Sequence, residues 1–258
     1  MNTTNNTILI TGGGSGIGRG LAEAFHALGN QVLISGRTQK TLEAVTAASP
    51  GMKSLTLDIA DSGSIESFAA QVSEEYPALN VLINMAGIMH NESLRDPSSA
   101  LGDAEATIAT NLLGPIRLTA ALLPTLLKQP HATVMTVSSG LAFVPLAMTP
   151  TYCATKAAIH SYTQSLRYQL KDTSVEVLEL VPPYVQTELM GARQANDPQA
   201  MPLAEYITET MSILTNSPDA VEICVERVKP QRFAERNGGY EAFFQNFNDA
   251  MTAARTAH

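Results

Sequence analysis

The chain has 258 residues, of which 45% are hydrophobic, with a formal net charge of −8 and a sequence pI of about 5.1. That hydrophobic share suits a large core and argues against wholesale disorder, and the absence of any Lys/Arg run argues against a nucleic-acid partner. Two cysteines, Cys153 and Cys224, are too few for a disulfide framework, and the five histidines (His26, His90, His131, His160, His258) show no metal-ligand spacing, so no metal is expected.

The polar start MNTTNNT has neither the charged nor the apolar region of a secretory signal. No apolar run reaches the roughly 18 residues of a membrane span. A soluble, cytoplasmic protein without a membrane partner is expected. Residues 8–11 (ILIT) read as a strand that ends in glycines, and 18–28 as a helix with Leu21, Ala24, Phe25 and Leu28 on one face. A strand at 31–35, a helix at 38–48, a strand at 54–58 and a helix at 62–76 follow, the last with Ile65, Phe68, Ala69 and Val72 aligned. A strand at 80–84 leads through a loop at Pro97 to a long helix, about 103–127, that carries Asn111 and is kinked at Pro115. Then come a strand at 132–139, a helix at 151–170 and a strand at 175–181 that stops at Pro182-Pro183. The strands are short continuous apolar runs, as expected when both faces of a sheet are covered. The alternation predicts one three-layer α/β domain, 1–258, with a doubly wound parallel, Rossmann-like sheet and a helical C-terminal extension.

After Val181 the alternation weakens. A polar insertion at 191–202 precedes helices predicted at 203–214 and 218–228. We expect a substrate lid over about 188–214 and a tail over about 229–258. In that tail Tyr240, Phe243, Phe244 and Phe247 form a stripe that packs on the body or on a partner subunit.

Three patterns carry chemistry. TGGGSGIG (11–18) follows a strand and opens a helix, so Gly12, Gly16 and Gly18, with Ser15 and Ile17 between them, suit a dinucleotide pyrophosphate seated on a helix N-terminus. The second strand ends in Ser35, Gly36 and Arg37, where an acid would grip a ribose 2′-OH; a guanidinium suits a 2′-phosphate, so NADP(H) is preferred, with NAD(H) as the second option. Arg19 could assist, or be solvated. Tyr152 and Lys156, four residues apart, share a helix face, and an ammonium beside a phenol favours the phenolate. Such a phenol can exchange a proton with a substrate oxygen that a nearby serine holds.

Further residues fall into the same order. Asp58 and Ile59 follow the third strand, NMAG spans 84–87, Asn111 precedes Gly114, and Ser139 stands thirteen residues before Tyr152, with its neighbour Ser138 as the alternative. On these motifs, over about residues 5 to 190, the chain resembles the single-domain branch of the short-chain dehydrogenase/reductase family. The resemblance implies Asn111, Ser139, Tyr152 and Lys156 as catalytic residues. It implies cofactor contacts from the glycine loop, Arg37, Asp58, Ile59, Asn84, Ala86, Gly87, Tyr152, Lys156, Pro182, Val185 and Thr187. Met85 replaces the second Asn of the family's Asn-Asn-Ala-Gly signature, and Pro183 replaces the usual glycine after Pro182. The family's late strand with its Asp-Gly-Gly end is not evident, so a homodimer is expected, with a tetramer as the alternative. The segment KPQRFAERNGGYEAFFQNFND resembles a subgroup of bacterial reductases, some encoded beside lipoteichoic-acid D-alanylation genes.

The family's geometry would place Ser139, Leu141, Phe143, Met148, Tyr184 and Met190 at the substrate. Val144 and Leu189 would lie with them, and Met89 and His90 at the rim. That wall is apolar and lacks a fixed charge, which implies a neutral ketone or aldehyde as the small-molecule partner. The expected function is hydride transfer between NADP(H) and such a carbonyl compound or its alcohol, mainly reduction. The alternative is a non-catalytic NAD(P)-binding sensor or interaction protein.

Overall fold

The computed structural model describes residues 1–93, 95 and 97–256, and for 97–100 and 254–256 the backbone alone. Its elements run β1 (Thr7–Thr11), α1 (Gly16–Ala27), β2 (Gln31–Gly36), α2 (Gln39–Ala48), β3 (Lys53–Thr56), α3 (Ser62–Glu75), β4 (Val81–Asn84), α4 (Pro97–Ile108), α5 (Gly114–Leu126), β5 (Ala132–Val137) and α6 (Pro150–Gln169). The chain continues through β6 (Val175–Leu180), α7 (Ala192–Ala195), α8 (Leu203–Asn216), β7 (Glu222–Ile223), α9 (Lys229–Arg232) and α10 (Tyr240–Thr256). The strands form one parallel sheet in the order β3-β2-β1-β4-β5-β6-β7. The order reverses between β1 and β4, and in open α/β sheets that point opens a ligand crevice beyond the carboxyl ends of the strands.

Side chains alternate across the pleat and build two cores. Leu9, Leu33, Leu82, Val134 and Val177 face α3, α5 and α6, where Phe68, Val72, Leu118, Leu122 and Leu166 meet them. Ile10, Ile34, Ile83, Met135 and Leu178 point the other way, onto Leu21 and Phe25 of α1, Leu42 and Val45 of α2 and Leu214 of α8. Burying each large apolar side chain stabilises by about 1.5–3 kcal/mol, so the sheet is held from both faces.

Four expectations change. The predicted 103–127 helix runs on continuously, but a π-helical turn, Ala109–Leu113, stands between α4 and α5 in place of a kink at Pro115. Pro115 lies in the first turn of α5, where its missing N–H costs nothing. Gly114 follows the π turn because a Cβ there would lie 2.5 Å from the Ile59 carbonyl oxygen. Second, the helical run Leu101–Leu126, mean hydropathy 1.3 over its most apolar window, is long and apolar enough to cross a membrane by length and composition, against the expectation of no such run. Leu118, Leu122 and Leu126 nevertheless lie in the protein core.

Third, residues 218–228 are not a helix. Glu222 and Ile223 pair in parallel with Glu179 and Leu180 of β6, and a 3-10 turn, Glu226–Val228, follows. Val221, Ile223 and Val225 alternate with polar or small residues, which is a strand's period. Ile223 and Val225 are buried. The late strand therefore exists, and the reason for expecting a dimer over a tetramer falls away. Fourth, the second half of the expected lid is anchored. Tyr206, Thr210 and Leu214 of α8 are buried, and a Cβ on Gly20 of α1 would come within 2.8 Å of Ile207.

Candidate active site

β1 delivers the glycine loop to the crevice. Gly12 (φ 68°) and Gly16 (φ 50°) take left-handed conformations. A Cβ on Gly12 would lie 2.9 Å from Ala86 Cα, and one on Gly18 would run into the Gly12 carbonyl. Ser15 is the N-cap of α1, yet its side chain makes no cap hydrogen bond and the first turn holds no acid. The positive end of this helix therefore faces the crevice with no acid in its own first turn. The cleft beside it, about 250 Å³, is lined by Gly12, Ser15, Arg37, Asp58, Ile59 and Gly87 among others. Arg37 is exposed at the cleft, and Ser35 before it is fully buried. Arg19 pairs with Glu23 at 2.7 Å.

The 84–87 segment is fixed from below. Thr11 Oγ1 accepts hydrogen bonds from the Met85 and Ala86 N–H groups, each at 3.0 Å. Asn84 Nδ2 donates to Thr119 Oγ1 at 3.0 Å. From the other side, the Thr187 methyl stands 3.3 Å from where a Gly16 Cβ would be, so the segment after β6 reaches over the glycine loop.

Ser139, Tyr152, Lys156 and Asn111 converge where β5 ends. Lys156 Nζ donates to the Val137 carbonyl at 2.8 Å. The lysine is buried, which pushes its pKa down to about 8. Its ammonium lies 5.5 Å from the centroid of the Tyr152 ring. Burial pushes the Tyr152 phenol well above its ordinary value, and a hydrogen bond with Ser139 offsets part of the rise. Desolvation dominates, and the expected lowering by Lys156 is not among the causes of the shift. Ser139 Oγ also accepts the Leu141 N–H at 3.1 Å, whereas the buried Ser138 hydroxyl has no partner among the described residues. Asn111, on the π turn, holds both backbone groups of Ile88, with Oδ1 accepting its N–H at 2.9 Å and Nδ2 donating to its carbonyl at 2.8 Å. Gly87 fits between them, since a Cβ there would lie 3.4 Å from Asn111 Oδ1 and 3.8 Å from Lys156 Nζ.

A family model described as short chain dehydrogenase matches residues 6–198. The chain belongs to the short-chain dehydrogenase family. The uncharacterized oxidoreductase DltE of Bacillus subtilis (strain 168) is 40% identical over 253 residues, which are 96% of this chain and 98% of that protein. It is the kind of relative to which the tail's resemblance points. A short-chain dehydrogenase from Sphingobium yanoikuyae, solved in complex with NADPH, superposes with a TM-score of 0.79 at 22% identity, covering 93% of this chain and 95% of that one. One from Burkholderia phymatum, solved in complex with NAD, gives 0.76 at 19% identity, covering 91% and 92%. The chain is therefore an oxidoreductase with this family's Rossmann-like fold.

Within this short-chain dehydrogenase the expected substrate residues separate. Leu141 and Met148 pack with Met89 around Leu146, Tyr152 and Cys153. Phe143 instead packs beside Val181, Val185 and Val228, its ring edge-on to His160 at 4.8 Å and 4.4 Å from the Arg232 guanidinium. Tyr184 is 38% exposed and its hydroxyl donates to Asp197 at 3.1 Å. The Met190 N–H is held by Gln194 Oε1 at 3.1 Å. Gln194, not anticipated from sequence, also donates to the Val185 carbonyl at 2.8 Å and Thr187 Oγ1 at 3.1 Å. Cys153 is the packing residue its sequence context suggested, its Sγ accepting the Leu146 N–H at 3.3 Å.

Sequence reasoning also misses Glu92. Its carboxylate accepts the Thr151 N–H at 3.1 Å and the Thr151 hydroxyl at 2.6 Å, capping α6 one residue before Tyr152. The contact spans 59 residues, so no local pattern announces it. A second surprise is the late helix α10. Phe247 and Met251 join the cluster around Tyr152, and Asn248 bonds the backbone of Pro145 and Ala147. Finally, the fold brings His160, Glu179 and Glu222 together, their ligand-type atoms within 4.8 Å of one another, where sequence spacing showed no cluster. Partners from within the chain occupy these groups: Arg232 donates to both Glu222 oxygens, at 2.6 and 2.9 Å, and His160 Nδ1 lies 2.8 Å from Glu179.

Proposed function

We propose that this oxidoreductase reduces neutral ketones or aldehydes with NADP(H). The observation that carries the reading is the meeting of Ser139, Tyr152 and Lys156 beside the glycine-loop cleft. The cleft fits a dinucleotide: it has an uncapped helix N-terminus, glycine positions that no side chain can fill, and an arginine where the 2′-phosphate would lie. Gly12, Ser15, Gly16, Ile17 and Gly18 would hold the pyrophosphate and Arg37 the 2′-phosphate. Asp58 and Ile59 would border the adenine, and Asn84, Ala86 and Gly87 the ribose. Pro182, Val185 and Thr187 would hold the carboxamide. When bound, the nicotinamide supplies the hydride.

The chain's own residues manage the proton. Ser139 Oγ donates to the substrate oxygen and stabilises charge that develops on it. Tyr152 gives its proton to the substrate oxygen as the hydride reaches the carbonyl carbon. Lys156 holds ribose hydroxyls, and Asn111, through the Ile88 carbonyl, orders a water path to solvent. We place the protein in the cytoplasm as a homo-oligomer. Leu101, Ile108, Leu113 and Leu127, exposed along the run from α4 through the π turn to the end of α5, and Tyr168 of α6 support the second point.

The test is NADPH and NADH consumption against a panel of carbonyl compounds. Tyr152→Phe should lose about 100-fold or more of the turnover while its NADPH-binding fluorescence stays near wild type. Normal turnover by Tyr152→Phe, or no turnover of any carbonyl by the wild type, would sink the assignment.

A further inference from the structure

We propose that α10 forms the outer wall of the substrate pocket, so that Phe247 and Met251 select carbonyl compounds by the length of their apolar substituent; this rests on the carbonyl-reductase reading. Among the described side chains of α10, Tyr240, Phe243, Phe244, Phe247, Asn248 and Met251 are half-buried, while Glu241, Gln245 and Asp249 stay exposed. That spacing makes one apolar stripe along the helix. Phe243 and Phe247 stack at 6.4 Å, which fixes the ring nearest the site.

Asn248 sets where the stripe lands. Its Oδ1 accepts the Ala147 N–H at 2.6 Å, and its Nδ2 donates to the Pro145 carbonyl at 3.1 Å. Residues 145–147 belong to the loop that joins Ser139 to α6, so the clamp ties α10 to the two elements that carry the reacting groups. Phe247 and Met251 then complete an apolar surface with Met89, Leu141 and Met148 over Tyr152, which is only 7% exposed. A molecule that presents its oxygen to the Tyr152 phenol must lay the rest of itself against these five side chains. None carries a charge or a strong hydrogen-bonding group, and three are methionines, which adapt to varied apolar shapes. The substrate class this wall takes is a ketone or aldehyde with an extended apolar chain.

The chain contains no tryptophan, so Phe247→Trp places a sole indole in the wall. With NADP+ present to prevent turnover, titration with 2-decanone should change its emission saturably, and acetone at the same concentrations should not. In parallel, Phe247→Ala, Met251→Ala and the clamp variant Asn248→Ala should lower the ratio of kcat/KM for 2-decanone over 2-butanone by about tenfold. If the wild type reduces ketones but the indole stays silent and the ratio holds in all three variants, the wall is wrong and the reductase reading stands. If the indole responds to 2-decanone while the wild type reduces nothing, the wall stands and the reaction is wrong. Silence on both counts overturns both.

Discussion

Lys156 should be worth more to stability when it is removed than when it is kept. Its ammonium is buried with one hydrogen bond, to the Val137 carbonyl, and its pKa falls from the ordinary 10.5 to about 8. At about 1.4 kcal/mol for each pH unit, holding that charge costs about 3 kcal/mol below pH 8. Between about pH 8 and 10.5 the unfolded chain holds more protons than the folded one, so wild-type stability rises with pH across that window. Lys156→Met removes the charge but leaves the Val137 carbonyl without its partner, a loss of about 1 kcal/mol. The variant should therefore be more stable than wild type by about 2 kcal/mol at pH 7, or about 4–8 °C in Tm. The advantage should shrink above pH 8 and reverse by about 1 kcal/mol beyond pH 10.5. Urea or thermal unfolding from pH 6 to 11, at one protein concentration and without cofactor, measures this directly. A gap that does not change with pH, or a variant less stable at pH 7, would refute the burial argument. Turnover should be lost at every pH, which would mark Lys156 as a residue kept for chemistry against stability.

Three other outcomes follow from the geometry. Gly18→Ala puts a methyl into the Gly12 carbonyl, so NADPH affinity measured by fluorescence titration should fall by about tenfold or more, with the chain still folded by circular dichroism. Arg37→Asp should lower kcat/KM for NADPH by about 100-fold and raise it for NADH, because a carboxylate repels a 2′-phosphate and grips a ribose hydroxyl; an unchanged ratio would remove Arg37 from the cofactor site. Arg232→Met strands Glu222, whose carboxyl Arg232 holds below the usual carboxylate range, and should cost about 2 kcal/mol at pH 7. Since a depressed carboxylate pKa stabilises at neutral pH and loses that effect as pH falls through it, the gap to wild type should close on acidification.

The α/β alternation, the glycine loop and the Tyr152–Lys156 pair are legible in the sequence because each is a local pattern. Strand length, helical period and a four-residue spacing need no knowledge of the rest of the chain. The π turn at Asn111 is not, since its cause is the approach of Gly114 to the Ile59 carbonyl, a contact between distant segments. β7 escapes for a different reason. Two residues of strand carry too little alternation to outweigh the helical reading of 218–228, and β6 supplies the pairing that decides it. Position in the chain puts Phe143 at the substrate, yet the 3-10 turn after Ser139 and the Arg232 guanidinium draw its ring to the other side of the loop.

The groups proposed to do chemistry and the groups that aim them thus come from different ranges of the sequence. Tyr152 and Lys156 occupy one turn of α6, but three remote contacts set where that helix and its loop stand. Glu92 caps its first turn, Asn248 holds residues 145–147, and the Gln231 side chain packs directly against Gly140. Two of the three lie after residue 198, where the family match ends. The shared chemistry sits inside the matched region, and the clamp that shapes the approach to Tyr152 sits outside it. On the proposed function, substitutions in α10 would change which carbonyl compound reaches the phenol without touching Ser139, Tyr152 or Lys156. On that reading the wall is itself divided: Met89, Leu141 and Met148 come with the reacting groups, and Phe247 and Met251 come from beyond the match.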